Sequence, residues 1–459
     1  MGVRRNQIVF LAAILTIFFL TAGCGKVEEA NGFKPLGNDE QAKIKVLFYN
    51  DQAFHMLYGS AFSAKYPNIE VEVVSSMPLL MSGNSSPEEL YKLIAEEKPD
   101  VLFLDEGQYE QLAWDGQLLS LETFVREDKF DLEQLHQPVV DLLKAKGNGM
   151  LFGLTPTFNT NALFFNKDLF DQYGVPYPTH QMSWDEVLML AGRFSMTGND
   201  EERVYGFAAS GSSLLPINGY MEMFNSLAAT EGLQMISDDK KLTMNTEAMK
   251  ATLQTVIDAY RSGAVRPYKP PEFDPDNLES IFLQDPFIAG KAAMTVNNYS
   301  FISSLRETEK HVEGYEPFAW EVVTEPVNPS DRSRATAFYL GQILSIRADS
   351  ESQAAAWELV KYINSEEFAR VQTKIGYELP ARSAYAKEQN EALLEAFYRL
   401  TPSLTSAKES AGISWDFYNE FNAMANEEIL AVINNQKSIE EALEAMEEQG
   451  QWLLDKMKE

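Results

Sequence analysis

The stretches Ile44-Lys-Val-Leu-Phe-Tyr49, Ile69-Glu-Val-Glu-Val-Val74 and Val101-Leu-Phe-Leu104 decide the fold class of this 459-residue chain. The first and third are mostly apolar, as buried strands are, and the second begins with a strict alternation of apolar and acidic residues. Helix-like segments lie between them, at Ala53 to Tyr66 and at Pro87 to Glu97. Strands that alternate with helices predict an α/β fold with a parallel sheet.

Polar and aromatic side chains follow the ends of two of these predicted strands. Asn50 and Asp51 come directly after the first strand, and Asp105 and Tyr109 follow the third. Because ligands bind beyond the carboxyl ends of the strands in open α/β sheets, we expect these four residues at a ligand site. Asp51 and Asp105 could equally cap helices, since a carboxylate accepts hydrogen bonds from the first helical turn.

The N-terminus carries the pattern of an export signal. Two arginines precede an apolar-to-neutral run from Ile8 to Leu20, which is shorter than the roughly 20 residues that span a bilayer. The run ends in Leu20-Thr-Ala-Gly-Cys24, which matches the bacterial lipobox and contains the only cysteine of the chain. We expect residues 1–23 to be a signal peptide, and residues 24–42 to be a flexible tether that starts at a lipid-bearing Cys24. An uncleaved signal anchor is the alternative.

The composition of the chain argues against some classes of binding partner and some kinds of metal or thiol site. The formal net charge of −30 argues against nucleic acid or an anionic lipid surface as a partner. Without its signal peptide, the chain is still longer than chains that fold around a single hydrophobic core usually are, so we expect two lobes. With Cys24 lipidated, no thiol remains for a disulfide or a zinc site, and the four histidines are not spaced as metal ligands. We therefore expect no cofactor and no zinc or iron site, while a structural calcium ion held by loop carboxylates stays open.

Several short motifs, taken in order, resemble segments of the extracellular solute-binding proteins, family 1, of the maltodextrin-binding type. They are Lys98-Pro-Asp-Val-Leu-Phe103, Trp114-Asp-Gly-Gln-Leu-Leu-Ser-Leu121, Leu151-Phe-Gly-Leu154, Ala162-Leu-Phe-Phe-Asn-Lys-Asp-Leu-Phe170, Ala289-Gly-Lys-Ala-Ala-Met294, Ala356-Trp-Glu-Leu-Val-Lys-Tyr-Ile-Asn-Ser365 and Gly376-Tyr-Glu-Leu-Pro-Ala381. Each motif is weak alone, but their order behind a lipobox is specific.

The resemblance implies the two-lobe periplasmic-binding-protein type II fold, with a hinge and an interlobe ligand cleft. The expected division is residues 43–158 plus 322–365 for lobe 1 and residues 159–321 plus 366–459 for lobe 2, with hinge crossovers at Phe158 to Asn161 and Trp320 to Val323.

The resemblance also implies a function without catalysis. Members capture a small molecule, often an oligosaccharide, between the lobes and deliver it to the permease of an ABC importer. For this chain it implies a monomeric receptor, lipid-anchored to the cell membrane on its extracytoplasmic side. Two alternatives stay open: a surface glycosidase that uses paired carboxylates, since acidic residues are abundant, and a sensor subunit that presents its ligand to a membrane kinase.

Sugars need aromatic platforms and polar partners, and the alignment with the maltodextrin-binding pattern nominates both. Asn50, Asp51, Asp105 and Tyr109 fall on ligand loops, Asn159 on a hinge carboxylate position, and Tyr299 and Trp415 on or beside stacking aromatics; Phe158, Tyr220 and Tyr339 are further candidates for the cleft. Core packing is the alternative for every aromatic. Leu104 and Gln108 replace an aromatic and a basic contact, which argues against maltodextrin itself.

The lipid anchor should depend on Cys24. We expect Cys24→Ala to release soluble protein or to leave an uncleaved precursor, because no other thiol can carry the acyl chains that hold a protein stably at a membrane. Fractionation of cells followed by mass spectrometry of the N-terminus measures both outcomes. A variant that is processed and retained on the membrane like the wild type would contradict the lipoprotein prediction.

Overall fold

The computed structural model describes residues 35–37, 39–81, 87–194, 203–209, 219–237, 239–269, 278–372, 378–386, 391–403, 413 and 415–456. Cys24 and the predicted signal peptide lie outside these residues. The strands within them are β1 (Ala42–Phe48), β2 (Ile69–Ser75), β3 (Val101–Leu104), β4 (Gly153–Leu154), β5 (Thr157–Asn166), β6 (Tyr205–Phe207), β7 (Ala292–Asn298), β8 (Trp320–Thr324), β9 (Arg334–Ala335), β10 (Phe338–Leu340), β11 (Ile343–Ile346), β12 (Leu379–Pro380) and β13 (Thr401–Pro402).

Helices cover about half of the described residues. They are α1 (Asp51–Phe54), which continues through a π-helical turn at His55–Gly59, α2 (Ser60–Lys65), α3 (Met77–Met81), α4 (Pro87–Glu97), α5 (Glu106–Trp114), α6 (Glu122–Glu127), α7 (Gln137–Lys146), α8 (Lys167–Tyr173), α9 (Trp184–Ala191), α10 (Tyr220–Thr230), α11 (Glu247–Arg261), α12 (Phe301–His311), α13 (Gln353–Ile363), α14 (Glu366–Gln372), α15 (Ser383–Ala386), α16 (Glu391–Tyr398), α17 (Trp415–Ile433) and α18 (Ile439–Lys456). Short 3₁₀ turns lie at Leu132–Gln134 and Leu278–Gln284.

Helix starts follow local sequence rules. Ser183 and Glu186 form the capping box that their spacing predicts: the hydroxyl accepts from the N–H of Glu186, and the carboxylate accepts from the N–H of Ser183. Ser438 and Glu441 make the same reciprocal pair before α18. Within the described residues, the helices are too short or too polar to cross a bilayer.

The first sheet belongs to lobe 1 and has the strand order β2-β1-β3-β11-β4. Strands β1, β2 and β3 run parallel, as predicted from their alternation with helices, whereas β11 runs antiparallel to both of its neighbours. The inner parallel strands β1 and β3 are mostly buried, as strands covered on both faces are, whereas the edge strand β2 alternates apolar and acidic residues at its start. In this lobe Trp357 of α13 is fully buried, and its indole N–H donates to Asp128 at 2.8 Å.

The second sheet belongs to lobe 2 and has the order β10-β5-β7-β6, with β8 and β12 also pairing with the long strand β5. One face of β5 packs on a core that includes Leu163 and Phe165 together with helices α9 to α11, α17 and α18. The other face contributes Phe158 and Phe164 to the core that is continuous with lobe 1. Strand β5 therefore joins both cores.

The described chain passes between the sheets three times: two of these crossovers are adjacent, and the third lies between β11 and β12. It leaves the first sheet after β4 and enters the second at Thr157; it returns between β10 and β11 at Gly341 and Gln342. The hinge prediction is therefore corrected, because residues 158–161 lie within β5 and residues 320–323 within β8, both in the second sheet. The predicted lobe boundary at 322 falls inside β8 for the same reason. The motif pattern gave the order of elements but not which sheet each strand joins.

An aromatic stack ties the crossover to lobe 1. The imidazole of His136, just before α7, stacks on Phe158 of β5 with ring centroids 5.1 Å apart, and Phe158 stacks in turn on Phe338 of β10 at 5.1 Å. Tyr398 closes the stack edge-on against His136 and Phe158. The imidazole Nε2 is buried and has no hydrogen-bond partner in the described part of the chain. Burial lowers the pKa of His136 to about 4.

The close approach of the crossover strands should make Gly341 intolerant of a side chain. The N–H of Gly341 donates to the carbonyl of Thr157 at 2.9 Å, and a Cβ at position 341 would lie 2.2 Å from the Thr157 hydroxyl and 2.9 Å from its carbonyl oxygen. We expect Gly341→Ala to lower the free energy of unfolding by about 1–3 kcal/mol. Gly192→Ala is the control, because its Cβ would meet only ordinary contacts at 3.6 Å. Equal unfolding midpoints in urea for both variants would contradict this account.

The buried imidazole should also make stability depend on pH. Its pKa is lower in the folded chain, about 4, than the usual 6.5, so the unfolded chain binds the proton first and stability falls as the pH drops from 6.5 towards 4. We expect the free energy of unfolding of the wild type to fall by about 2 kcal/mol more than that of His136→Phe between pH 7.5 and pH 5. His311→Phe, at an exposed histidine, is the control. Parallel pH profiles for the wild type and His136→Phe would refute the assignment.

Candidate functional site

A groove lies at the carboxyl ends of the lobe 1 strands, where the sequence predicted ligand contacts. We call it the lobe 1 groove; its volume is about 430 Å³, within the range of small-molecule sites. Its lining is Leu47, Phe48, Tyr49, Ser76, Leu79, Leu90, Phe103, Leu104, Asp105, Gln108, Leu340, Gly341, Gln342 and Glu378. Apolar and aromatic side chains form its wall, and carboxylates and amides supply its polar groups.

Helix α5 positions the polar end of this groove. Asp105 caps the helix by accepting from the N–H of Gln108 at 2.8 Å, and the Gln108 amide oxygen accepts from the N–H of Asp105 at 3.1 Å. Glu106, one residue further, accepts from the N–H of Leu340 in β10 at 2.7 Å and pairs with the buried Lys146 at 3.2 Å. The lobe 1 helix is thereby bonded directly to the crossover strand.

The ribbon of β5 and β10 separates two chemically different surfaces. Asn159 lies opposite Tyr339 in the antiparallel register, and Phe158 lies opposite Leu340. Directly opposed residues share a face of a sheet, so Asn159 and Tyr339 point to one side and Phe158 and Leu340 to the other. Leu340 lines the lobe 1 groove, whereas its neighbour Tyr339 lines a second cavity on the opposite face.

We call this second site the lobe 2 cavity; its volume is about 190 Å³. Its lining is Asn161, Trp184, Asn225, Ser226, Ala229, Thr230, Val296, Glu325, Pro326, Thr336, Ala337 and Tyr339. Tyr339 is the exposed wall, with 60% of its surface accessible, and Trp184 is nearly buried with its indole N–H donating to Thr230 at 3.1 Å. Trp184 therefore packs in the core, which was the alternative for every aromatic, and also reaches the edge of the cavity.

Glu325 is the buried charge of the lobe 2 cavity. It follows β8 directly and is only 4% exposed. Its Oε1 accepts from the N–H of Thr336 at 2.8 Å and of Ala337 at 3.0 Å. Burial raises the pKa of Glu325 to about 7, and the two hydrogen bonds oppose that rise only in part.

The predicted polar residues of lobe 1 divide into two groups. Asp105 lines the lobe 1 groove and also caps α5, so both of the roles left open by the sequence fit it. Asn50 caps α1 by accepting from the N–H of Ala53 at 2.8 Å, and Asp51 is exposed beside His55. Neither Asn50 nor Asp51 is among the described residues that line the groove, although Tyr49, directly before them, is.

Four of the aromatic residues predicted to contact the ligand pack in the cores: Tyr109, Phe158, Tyr220 and Tyr299. Tyr109 is fully buried, and its hydroxyl donates to the carbonyl of Leu143 and accepts from the N–H of Phe152. Phe158 is fully buried in the aromatic stack. This structure does not support a ligand contact for either ring, because each has its partners inside the protein.

Tyr299 and Tyr220 are each 8% exposed. The ring of Tyr299 packs edge-on against Phe397, and that of Tyr220 packs edge-on against Tyr260. Their sequence positions after a strand and at a helix start fit a cleft and a core equally, and these ring contacts favour the core. Trp415 begins α17, but its side chain lies outside the described residues, so its role stays a prediction.

Asn159 and Tyr339 are the predicted residues on the polar face of the ribbon. The amide oxygen of Asn159 is buried without a hydrogen-bond partner among the described residues. The sequence did not single out Tyr49, Glu378 or Glu325. The rule that ligands bind beyond strand ends would have found Tyr49 and Glu325, since each comes directly after a strand. Glu378 reaches the groove through a long-range contact with Thr157 at 2.5 Å, which no local pattern shows.

Within the described residues, no three His, Cys, Asp or Glu side chains are grouped as metal ligands. The described side chains that line the two cavities offer aromatic faces, amides, hydroxyls and carboxylates.

Known structures share this architecture. A sugar-binding protein MalE from Xanthomonas citri is 18% identical, with a TM-score of 0.62 and coverage of 91% of this chain and 98% of that one. An ABC substrate-binding protein from Listeria monocytogenes, solved with cycloalternan, is 20% identical, with a TM-score of 0.55 over 91% of this chain and 100% of that one. These similarities confirm the two-lobe periplasmic-binding-protein fold predicted from the sequence.

The sequence comparison leads to the same family. A putative binding protein of Brucella abortus is 21% identical over 290 residues, 61% of this chain and 63% of that relative, so the chain spans less than two thirds of its length. The family model described as bacterial extracellular solute-binding protein matches residues 40–370. The chain belongs to the bacterial extracellular solute-binding protein family.

Proposed function

We propose that this protein is the extracellular receptor of an ABC importer and that it captures an oligosaccharide between its lobes. The observation that carries the proposal is the β5–β10 ribbon, whose consecutive residues Tyr339 and Leu340 line cavities on opposite faces. A ligand that contacts both cavities must touch both lobes and the crossover between them. Its binding free energy would then favour the closed arrangement over the open one.

The lining supports a sugar as the ligand. Sugar rings present apolar faces and dense hydroxyl edges, and Tyr49 and Tyr339 offer aromatic surface with 42% and 60% of their areas accessible. Asp105, Gln108 and Glu378 in the lobe 1 groove provide acceptors and an amide donor for hydroxyl groups. The solved relatives support the same class, since one was crystallised with cycloalternan and a MalE3 of T. maritima with maltose.

Anchoring and delivery complete the proposal. The lipobox at Cys24 would hold the receptor beside the permease on the extracytoplasmic side, with residues 24–42 as the tether. The proposed ligand-driven motion takes place at the two adjacent crossovers, next to Thr157 and Gly341. The receptor would act as a monomer and without catalysis.

Tyr339 should contribute to binding and little to folding. We expect Tyr339→Ala to weaken saccharide binding by about 1.5–3 kcal/mol, because it removes an aromatic face that a sugar ring would cover. That loss corresponds to about a 10- to 150-fold rise in Kd. A thermal-shift screen with tetrasaccharides of glucose, N-acetylglucosamine and glucosamine, with spermidine and with a peptide mixture selects the probe, and calorimetry gives its Kd.

Trp452→Ala is the matched control, because Trp452 is 61% exposed on α18, away from both cavities. Both variants should keep the ligand-free urea midpoint, since exposed side chains contribute little to stability. Failure of every saccharide to bind would contradict the proposed function. Release of smaller sugars during the calorimetric titration would instead favour the glycosidase alternative.

A further inference from the structure

The lobe 2 cavity contains hydrogen-bond acceptors that the protein itself does not satisfy. Glu325 is 4% exposed and uses Oε1 for two backbone N–H groups, while its Oε2 accepts no hydrogen bond among the described residues and is not one of their fully buried unpaired atoms. The amide oxygen of Asn225, which lines the same cavity, is buried and also without a partner among the described residues. A buried acceptor without a partner costs free energy, and a buried carboxylate costs more. The cavity is therefore complementary to a donor.

The cavity offers no positive charge to this carboxylate. No lysine or arginine is among the described residues that line the lobe 2 cavity or the lobe 1 groove. Lys146, a buried cation that is linked to β10 through Glu106, pairs with Glu106 at 3.2 Å and with Glu110 at 3.5 Å on the lobe 1 side. The described lining of the two cavities therefore supplies no cation to the ionised form of Glu325.

Aromatic rings flank the same carboxylate. Trp184 and Tyr339 both line the cavity with Glu325. An ammonium group interacts favourably with the faces of tryptophan and tyrosine, and it donates to carboxylate and amide oxygens. A hydroxyl group can pair with the neutral carboxyl as well as with the carboxylate, whereas an ammonium group favours the ionised form because it offsets the cost of burying that charge. The ring faces and the unpaired acceptors together favour a protonated amine.

We propose that the lobe 2 cavity binds a protonated amine of the ligand; this inference rests on the proposed function. The captured oligosaccharide is then one that contains an amino sugar with a free amino group. The lobe 1 groove adds the carboxylates of Asp105 and Glu378 and repels anionic sugars. Phosphorylated sugars and uronic acids are accordingly excluded as ligands.

The test compares saccharides that differ only in charge. Calorimetry at pH 7 measures the Kd of a glucosamine tetrasaccharide, of the N-acetylated tetrasaccharide with the same linkages, and of spermidine as an amine without a sugar. We expect the glucosamine tetrasaccharide to bind at least about tenfold more tightly than its acetylated counterpart, the effect of one charge-assisted hydrogen bond. Glu325→Gln should remove this preference.

Glutamine keeps an oxygen that can accept from Thr336 and Ala337, so the fold should be retained, and the ligand-free urea midpoint of Glu325→Gln checks this. Glu231→Gln is the control for net charge, because Glu231 is exposed at the end of α10 and does not line the cavity. It should leave the preference for the amine intact.

The possible results separate this proposal from the proposed function. Equal binding of both tetrasaccharides by the wild type, or a preference that survives in Glu325→Gln, overturns the amine site and leaves the oligosaccharide receptor standing. Binding of spermidine alone, lost in Glu325→Gln, supports the amine site and overturns the saccharide assignment. Absence of binding by all three probes overturns the amine site, and failure of the glucose tetrasaccharide as well overturns the oligosaccharide receptor.

Discussion

The close contact between the crossover strands is the constraint on which the rest of the structure depends. Thr157 and Gly341 touch through a backbone hydrogen bond of 2.9 Å, with no room for a side chain at position 341. The contact fixes the register of β10 against β5 and so decides which side chains face each lobe. Because side chains alternate along a strand, a shift by one residue would exchange the two faces.

The two faces of the ribbon differ in the polarity of the groups buried against them. On the Phe158 face, the stack with His136 and Phe338 is apolar and closely packed, and its imidazole stays neutral because burial lowers its pKa. On the Asn159 face, the buried oxygens of Asn159 and Asn225 have no partner among the described residues. Buried polar groups are usually paired, so these two oxygens near the lobe 2 cavity are where a ligand could supply donors.

Local patterns predicted the elements of this fold but not the long-range pairing that builds the site. Periodicity gave the bounds of α4 and β3, and side-chain spacing gave the capping boxes, because both depend on neighbours in the chain. The hinge was misplaced because strand partners are set by contacts between distant segments. Tyr109 and Tyr339 show the same limit, because each is a tyrosine near a strand end. Tyr109 is buried with its hydroxyl hydrogen-bonded inside lobe 1, whereas Tyr339 stays exposed.

The two sides of the crossover differ in how a carboxylate is compensated, and the net charge of the chain does not show this difference. On the lobe 1 side, the carboxylate of Glu106 is compensated by Lys146 and bonded to the N–H of Leu340, so its charge strengthens the attachment of β10. On the lobe 2 side, the carboxylate of Glu325 has two backbone N–H groups but no cation among the described residues of its cavity, and burial raises its pKa to about 7. The two carboxylates therefore differ: Glu106 is paired with a cation of the protein, and Glu325 lines a cavity whose described residues supply none. A ligand that brings a positive charge would complete the lobe 2 side as Lys146 completes the lobe 1 side.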